Sequence, residues 1–175
     1  MLMRIAFLLL VTLNAITSLA EEPKPTVELR GEYLMTLDAL LDPGQFLVNR
    51  RVVNMPSGGT VHGPRINGTI VAPSGDWLFL QPDGSARLDV RLMIKTDDNE
   101  LILMEYGGVM AFPKDAAERL SRGELLTYAD GYLLTAPRFT TGSTKYAWLN
   151  HVQAIGKMVT FQRGRAIKYD IFEMR

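Results

Sequence analysis

Alternation of apolar and polar residues runs through much of this chain, and it is typical of β-strands that bury one face. Residues 85–96 show it most clearly, because Leu88, Val90, Leu92 and Ile94 alternate with mostly charged residues. The other stretches with strand character are residues 27–37, 46–53, 60–62, 65–72, 76–81, 100–112, 125–139, 146–161 and 165–173.

Glycine, proline, asparagine and aspartate cluster between these stretches and favour turns there. Only residues 113–122 predict a helix, since Pro113 suits its first position and Gly123 its end. The predicted turns and loops lie at residues 42–44, 54–59, 73–75, 82–84 and 97–99. Asn67-Gly68 marks either a bulge or a tight hairpin within residues 65–72.

About nine or ten short strands with close turns and one short helix predict an all-β protein. An open sheet of so many strands would leave two long unpaired edges, whereas a closed barrel leaves none. We therefore predict a single antiparallel β-barrel, lipocalin-like or similar, of about 8–10 strands with one short helix. A strongly bent two-sheet sandwich is the alternative.

The first twenty residues have a different pattern. Arg4 precedes an apolar run over residues 5–15, and Ser18-Leu19-Ala20 matches the small-residue pattern of a cleavage site. This predicts a signal peptide over residues 1–20, with cleavage after Ala20, followed by one domain over residues 21–175. An uncleaved anchor helix is the alternative, but the apolar run is short for a membrane span. We expect an exported protein, periplasmic if bacterial and otherwise secreted.

Composition narrows the classes of partner and of chemistry. The 19 basic and 19 acidic residues balance and form no basic cluster, so nucleic acid is not an expected partner. The chain has no cysteine, which excludes disulfides and thiolate metal sites. Its two histidines, His62 and His151, lack the spacing of metal ligands. No metal and no cofactor is predicted.

Several short blocks occur in a specific order along the chain. They are Gly58-Gly59, Gly63-Pro64-Arg65, Gly68, Asp76-Trp77, Asp83-Gly84, Leu88-Asp89-x-Arg91, Thr96-Asp97-Asp98, Ala136-Pro137-Arg138-Phe139, Gly142 and Tyr146-Ala147-Trp148-Leu149-Asn150. On these blocks, the chain from Val27 to its C terminus resembles DUF3237, also called UPF0311, a family of uncharacterised bacterial and fungal proteins. The resemblance implies a compact single-domain antiparallel β-barrel and implies no particular reaction. Asn99 and His151 depart from the family pattern, where glycine and arginine are common.

Asp76 is the first candidate for chemistry. It precedes the apolar run Trp77-Leu78-Phe79-Leu80, where a carboxylate would be partly desolvated. Desolvation raises the pKa of a carboxyl group towards values that suit general acid or base catalysis. The alternative is a turn aspartate that accepts backbone hydrogen bonds beside a core tryptophan.

Asp89 and Arg91 are the second candidates, because residues two apart share one face of a strand. If that face lines the barrel, Asp89 is a candidate base and Arg91 a holder of an anionic group. If it faces solvent, the two belong to the wet side of an amphipathic strand. The orientation of residues 85–96 decides between these interpretations.

A third group lies on the predicted strand 146–161, where Tyr146, Trp148 and Asn150 would share one face. An aromatic stripe that ends in an amide suits a pocket that stacks a ring and orients a polar group. A core tryptophan beside a hydrogen-bonded asparagine is the alternative. Arg65 would either reach an acidic ligand or pair with an aspartate.

These candidates support two functions for a pocket-bearing barrel. The first is binding of a small, partly apolar molecule, hydrophobic or weakly acidic. The alternative is a cofactor-independent lyase- or isomerase-type enzyme with Asp76 or Asp89 as acid or base. A third hypothesis is a structural envelope protein whose interior is filled by side chains. The residues proposed for ligand contact are Arg65, Trp77, Arg91, Tyr146, Trp148 and Asn150.

Overall fold

The computed structural model describes residues 25–175, and for residues 43–47 it describes the backbone alone. The predicted signal peptide, residues 1–20, lies outside the described residues. Within residues 25–175, no helix combines the length and apolarity needed to cross a membrane.

Nine strands and two short helices make up the described chain. Helix α1 spans Ala116–Ser121, and a 3₁₀ helix spans Ala147–His151. The strands are β1 Gly31–Val48, β2 Arg51–His62, β3 Asn67–Leu80, β4 Ala86–Thr96, β5 Leu101–Ala111, β6 Leu126–Thr127, β7 Tyr132–Thr140, β8 Ala154–Gln162 and β9 Ala166–Met174.

Eight of these strands close into a barrel in which every pairing is antiparallel. The neighbours follow the order β1-β2-β3-β4-β5-β7-β8-β9, and β9 pairs back onto β1. The two-residue strand β6 pairs with β8 outside this ring. The predicted fold class, an antiparallel β-barrel with one short helix, is confirmed.

Alternation in β4 places its apolar side chains inside the barrel. Leu88, Val90, Leu92 and Ile94 are buried, whereas the charged residues between them are exposed. The hydrophobic core therefore fills the barrel from the inner faces of the strands, as the pattern predicted.

Three predicted breaks between strands are wrong, because each lies inside a longer strand. Residues 42–44 fall within β1, residues 54–59 within β2 and residues 73–75 within β3. Each stretch coincides with a shift in pairing register. Glycine and proline there produce bulges that bend a continuous strand, which is how a sheet curves into a barrel.

The predicted strand 146–161 is wrong over its first part. Ala147–His151 forms a 3₁₀ helix, in which the Leu149 amide donates to the Tyr146 carbonyl at 2.9 Å. The turn buries both Tyr146 and Leu149. Tyr146, Trp148 and Asn150 therefore do not share a strand face.

Candidate functional site

A cavity of about 300 Å³ lies inside the barrel, towards the end where β3 and β8 finish and α1 follows β5. Its volume is at the lower limit of small-molecule pockets, about 300–1,000 Å³. Most of its wall is apolar, including Leu41, Leu78, Leu88, Phe161 and Ile167. Side chains do not fill this end of the barrel completely.

Five polar or titratable side chains line the same cavity. An amide and a carboxyl group come from neighbouring strands, two side chains are tyrosines, and an arginine comes from the turn between β8 and β9. They are Asn54, Asp76, Tyr106, Tyr169 and Arg163.

Strand register explains why three of these residues meet on one inner face. Asn54 of β2 is paired with Asp76 of β3, Asp76 with Val90 of β4, and Val90 with Tyr106 of β5. Residues directly opposite each other in antiparallel strands point to the same side of the sheet. Since Val90 is buried inside the barrel, the whole row points inwards.

The Asn54–Asp76 pair is only partly satisfied by hydrogen bonds. Asn54 Nδ2 donates to Asp76 Oδ2 at 3.3 Å. The second carboxyl oxygen of Asp76 and the amide oxygen of Asn54, both named Oδ1, are buried and have no hydrogen-bond partner among the described residues. An unsatisfied buried acceptor destabilises a protein by about 1–3 kcal/mol. The arrangement therefore favours a ligand that brings a hydrogen-bond donor to this point.

Burial raises the pKa of Asp76 from 3.8 to about 7. The hydrogen bond from Asn54 opposes this rise, and the negative charge of Asp89 adds to it. Protonated and ionised Asp76 are therefore both present near neutral pH, as a general acid or base requires.

The two tyrosines remain protonated beside this carboxyl group. Burial raises the pKa of Tyr106 and of Tyr169 well above 10, and the charge of Asp76 acts in the same direction on both. Their rings meet edge to face, with centroids 6.2 Å apart. Both phenols are thus neutral hydrogen-bond donors throughout the physiological range.

Helix α1 contributes two side chains, Ala117 and Leu120, to the cavity wall. On the same helix, Arg119 pairs with Glu124 at 3.0 Å and with Asp130 at 2.8 Å. These ion pairs tie α1 to the segment that follows it. The helix is held against the cavity by both packing and charge.

Of the residues proposed from the sequence, only Asp76 lines the cavity. Asp89 and Arg91 are exposed on the outer face of β4, where the Arg91 guanidinium pairs with Asp89 at 3.0 Å and with Glu105 at 3.6 Å. Trp77 is also outside, 37% exposed, with that guanidinium 5.7 Å from its ring. A Cβ on Gly75 would lie 2.5 Å from this ring, so the indole packs against the bulge of β3.

Arg65 and Trp148 lie together, away from the cavity. The Arg65 guanidinium is 3.8 Å from the centre of the Trp148 ring and donates to Glu173 at 2.6 Å. Arg65 thus pairs with a carboxylate of the protein itself, which was one of the two predicted alternatives. The partner is the glutamate Glu173, where an aspartate was expected.

Tyr146 and Asn150 make local structural contacts. The Tyr146 hydroxyl donates to Asp98 Oδ1 at 3.0 Å. The Asn150 amide accepts from the Thr141 amide at 2.8 Å and donates to the Thr141 carbonyl at 3.0 Å. Neither side chain lines the cavity.

Of the five polar or titratable residues of the cavity, four were missed by the sequence interpretation. Alternation in β5 places Tyr106 on the face of Ile102 and Met104, and this signal could have identified it. Tyr169 follows from alternation in β9 in the same way. Asn54 lay in a predicted loop, and Arg163 lies in a turn, so no strand pattern indicates either of them.

Comparison with known proteins assigns the chain to a family. The family described as "Protein of unknown function (DUF3237)" matches residues 26–174. A UPF0311 protein of Clostridium acetobutylicum is 33% identical over 107 residues, which are 61% of this chain and 68% of that protein.

Two further relatives extend the comparison. The crystal structure of a conserved protein of unknown function from Rhodopseudomonas palustris superposes with a TM-score of 0.78 at 24% identity, covering 86% of this chain and all of that one. This likeness shows a shared fold. A hydroalkoxylation enzyme of Penicillium herquei is 25% identical over 159 residues, which are 88% of this chain and 89% of the enzyme.

Proposed function

The chain belongs to the DUF3237 family, as its sequence blocks predicted, and we propose that it is an enzyme using carboxylate acid–base chemistry on a small, mostly apolar molecule. The substrate occupies the barrel cavity, and Asp76 is the group that moves the proton. The reaction is of lyase or isomerase type, which proton transfer alone can drive without a redox cofactor.

One observation carries this proposal: a carboxyl group with a pKa of about 7 in the wall of an apolar cavity. A group whose pKa is near the working pH is present in both forms and transfers protons efficiently in either direction. Perturbed titratable groups in clefts are enriched at functional sites. A barrel that enclosed a wholly apolar ligand would be more stable with an apolar residue than with a carboxyl group at position 76.

The unsatisfied acceptors indicate which group of the substrate lies next to Asp76. Oδ1 of Asp76 and Oδ1 of Asn54 can each accept a hydrogen bond and have no donor among the described residues. A hydroxyl group of the substrate would donate to one of them. That hydroxyl would also be the group from which ionised Asp76 takes a proton. The apolar wall accommodates the rest of the molecule.

The Penicillium herquei relative suggests a concrete reaction. Hydroalkoxylation adds an alcohol across a carbon–carbon double bond: the O–H and π bonds break, and C–O and C–H bonds form. No oxidant or reductant is consumed. A single carboxyl group can give a proton to carbon and regain one from the hydroxyl, which is the exchange that Asp76 could perform.

The competing function is binding without catalysis, which the same apolar cavity would serve. The two functions differ at Asp76, and ¹³C NMR of the labelled carboxyl group measures the difference. We expect a pKa near 7 for the enzyme. An ordinary value near 4 would favour the binding barrel.

Activity is tested with a panel of apolar hydroxyalkenes whose hydroxyl can add to their own double bond. Cyclic ether formation is followed by mass spectrometry, with deuterium uptake at carbon in D₂O as a second readout. We expect Asp76→Asn to lower kcat by about 10²–10⁴-fold. The matched control is Asp89→Asn on the outer face, which should retain activity; full activity in Asp76→Asn would remove the proposed role.

A further inference from the structure

We infer that the substrate is an amphiphilic anion, such as a carboxylic acid, whose charged group is held by Arg163 at the mouth of the cavity. This inference rests on the proposed function and adds the substrate class. The hydroxyl end of the molecule lies at Asp76, and the anionic end lies at the rim.

Arg163 differs from every other residue of the cavity wall in its charge. It lies in the turn between β8 and β9 and is the one cation among the described residues that line the cavity. Its side chain is exposed, whereas Asp76 lies deeper and its Oδ1 is buried. The cavity thus has an acid–base group inside and a positive charge at its opening.

Among the described side chains, which exclude those of residues 43–47, Arg163 has no ion pair and no side-chain hydrogen bond. By contrast, Arg65, Arg91 and Arg119 each pair with a carboxylate of the protein. A guanidinium presents a planar fork of donors that binds a carboxylate through two hydrogen bonds. The fork of Arg163 is available for a carboxylate from outside the protein.

A second arginine lies in the same turn. Residues 163–165 connect β8 to β9, and no ion pair of Arg165 is found among the described side chains. The Arg165 carbonyl accepts a hydrogen bond from the Leu41 amide at 2.8 Å, which holds this turn against β1. Both arginines place positive charge at this end of the barrel, and of the two only Arg163 lines the cavity.

The depth of Asp76 below the open end of the barrel sets the length of the ligand. Asp76 lies four residues before Leu80, the last residue of β3, and at about 3.3 Å per residue this is about 13 Å along the strand. Leu78 and Leu80 line the cavity over that length. A molecule with an apolar body and polar groups at both ends would match all three regions.

Two fluorescent probes with similar aromatic rings test the inference. In 8-anilinonaphthalene-1-sulfonate, the sulfonate stands in for the carboxylate, whereas N-phenyl-1-naphthylamine is neutral. We expect Arg163→Gln to weaken binding of the anionic probe about tenfold, as loss of a hydrogen bond between charged groups would, and to leave the neutral probe unchanged. Arg163→Lys keeps the charge and should fall between.

Arg165→Gln is the matched control, because it removes a charge from the same turn at a residue that does not line the cavity. The inference would be overturned if the anionic probe bound Arg163→Gln as tightly as it binds the wild type. Equal weakening of its binding by Arg163→Gln and Arg165→Gln would overturn it as well.

The position of the probe separates this inference from the proposed function. Binding in the cavity should shift the methyl NMR signal of Met110, which lines it, and leave Met93 on β4 unchanged. If neither probe shifts Met110, the cavity is not a binding site and both proposals fail. If both probes shift it but Arg163→Gln has no effect, only the anionic substrate class is wrong.

Discussion

Asp76 makes the folded protein less stable at high pH than at low pH. Burial raises the pKa of this group to about 7, so the folded chain holds a proton that the unfolded chain has lost above about pH 4. Stability contributed by this group therefore falls as the pH rises from about 4 to 7, and the loss is complete above 7. This rise in pKa from 3.8 to about 7 corresponds to on the order of 4 kcal/mol as an upper limit.

Replacing Asp76 with asparagine should remove that loss. We expect Asp76→Asn to raise the free energy of unfolding by on the order of 2–4 kcal/mol at pH 8 and to change it little at pH 4. Urea denaturation at the two pH values measures the difference. Asp97→Asn is the control, because Asp97 is exposed and does not line the cavity, and an equal effect of Asp76→Asn at both pH values would contradict the assigned cause.

The neighbours of Asp76 should move its pKa in opposite directions. The hydrogen bond from Asn54 lowers this pKa and the charge of Asp89 raises it. We therefore expect Asn54→Leu to raise the pKa of Asp76 further and Asp89→Asn to lower it. Carboxyl ¹³C titration of each variant checks this. A shift of the same sign in both would contradict the assigned directions, and no shift in either would show that burial alone sets the value.

Only one residue of the candidate site followed from the sequence. Asp76 was found because it adjoins an apolar run, which predicts desolvation from local sequence. Asp89 and Arg91 share a strand face, but the apolar face of β4 is the one that closes the core, and this places them outside. The contact between Asn54 and Asp76 depends on the register of two strands, which local sequence does not specify.

Among the elements, α1 controls one wall of the cavity. A helix of six residues is too short to be stable alone, so packing of Leu120 and the ion pairs of Arg119 hold it in place. The mouth of the cavity therefore depends on contacts that a surface substitution can weaken.

Arg119→Met should loosen α1 without changing the cavity wall. We expect faster amide hydrogen exchange over residues 116–124 and faster association and dissociation of the neutral probe. Arg122→Met is the matched control, since Arg122 pairs with Glu118 and Glu124 on the exposed side of the helix. Exchange that is equally fast in both variants would show that Arg119 has no special part in holding α1.

Strand boundaries were predicted well where turns are tight and poorly where strands bend. Residues 85–96 and 100–112 match β4 and β5 closely, because a short turn joins two regular alternating strands. In β1, β2 and β3, glycine and proline occur at bulges. A bulge and a turn use the same residue types, and only the paired strand distinguishes them.

At the scale of the whole molecule, export remains a prediction of the first twenty residues. In a bacterial host with a general secretion system, we expect the full chain to appear in the periplasm with Glu21 as its first residue. Cell fractionation and intact mass measure both points. A chain that stays in the cytoplasm at full length would contradict the prediction, and a chain with Arg4→Glu should be exported less.

Pairing of β9 with β1 has a consequence for how the protein folds. This pairing joins Leu40 to Ala166 and Gly31 to Met174, so barrel closure depends on contacts between distant parts of the chain. Such contacts form slowly, because a long loop must close before they stabilise anything. The inner faces of β1 and β8 stay exposed until β9 arrives. The chain therefore remains prone to aggregation until the last strand has been synthesised. The cavity forms only when that strand closes the barrel.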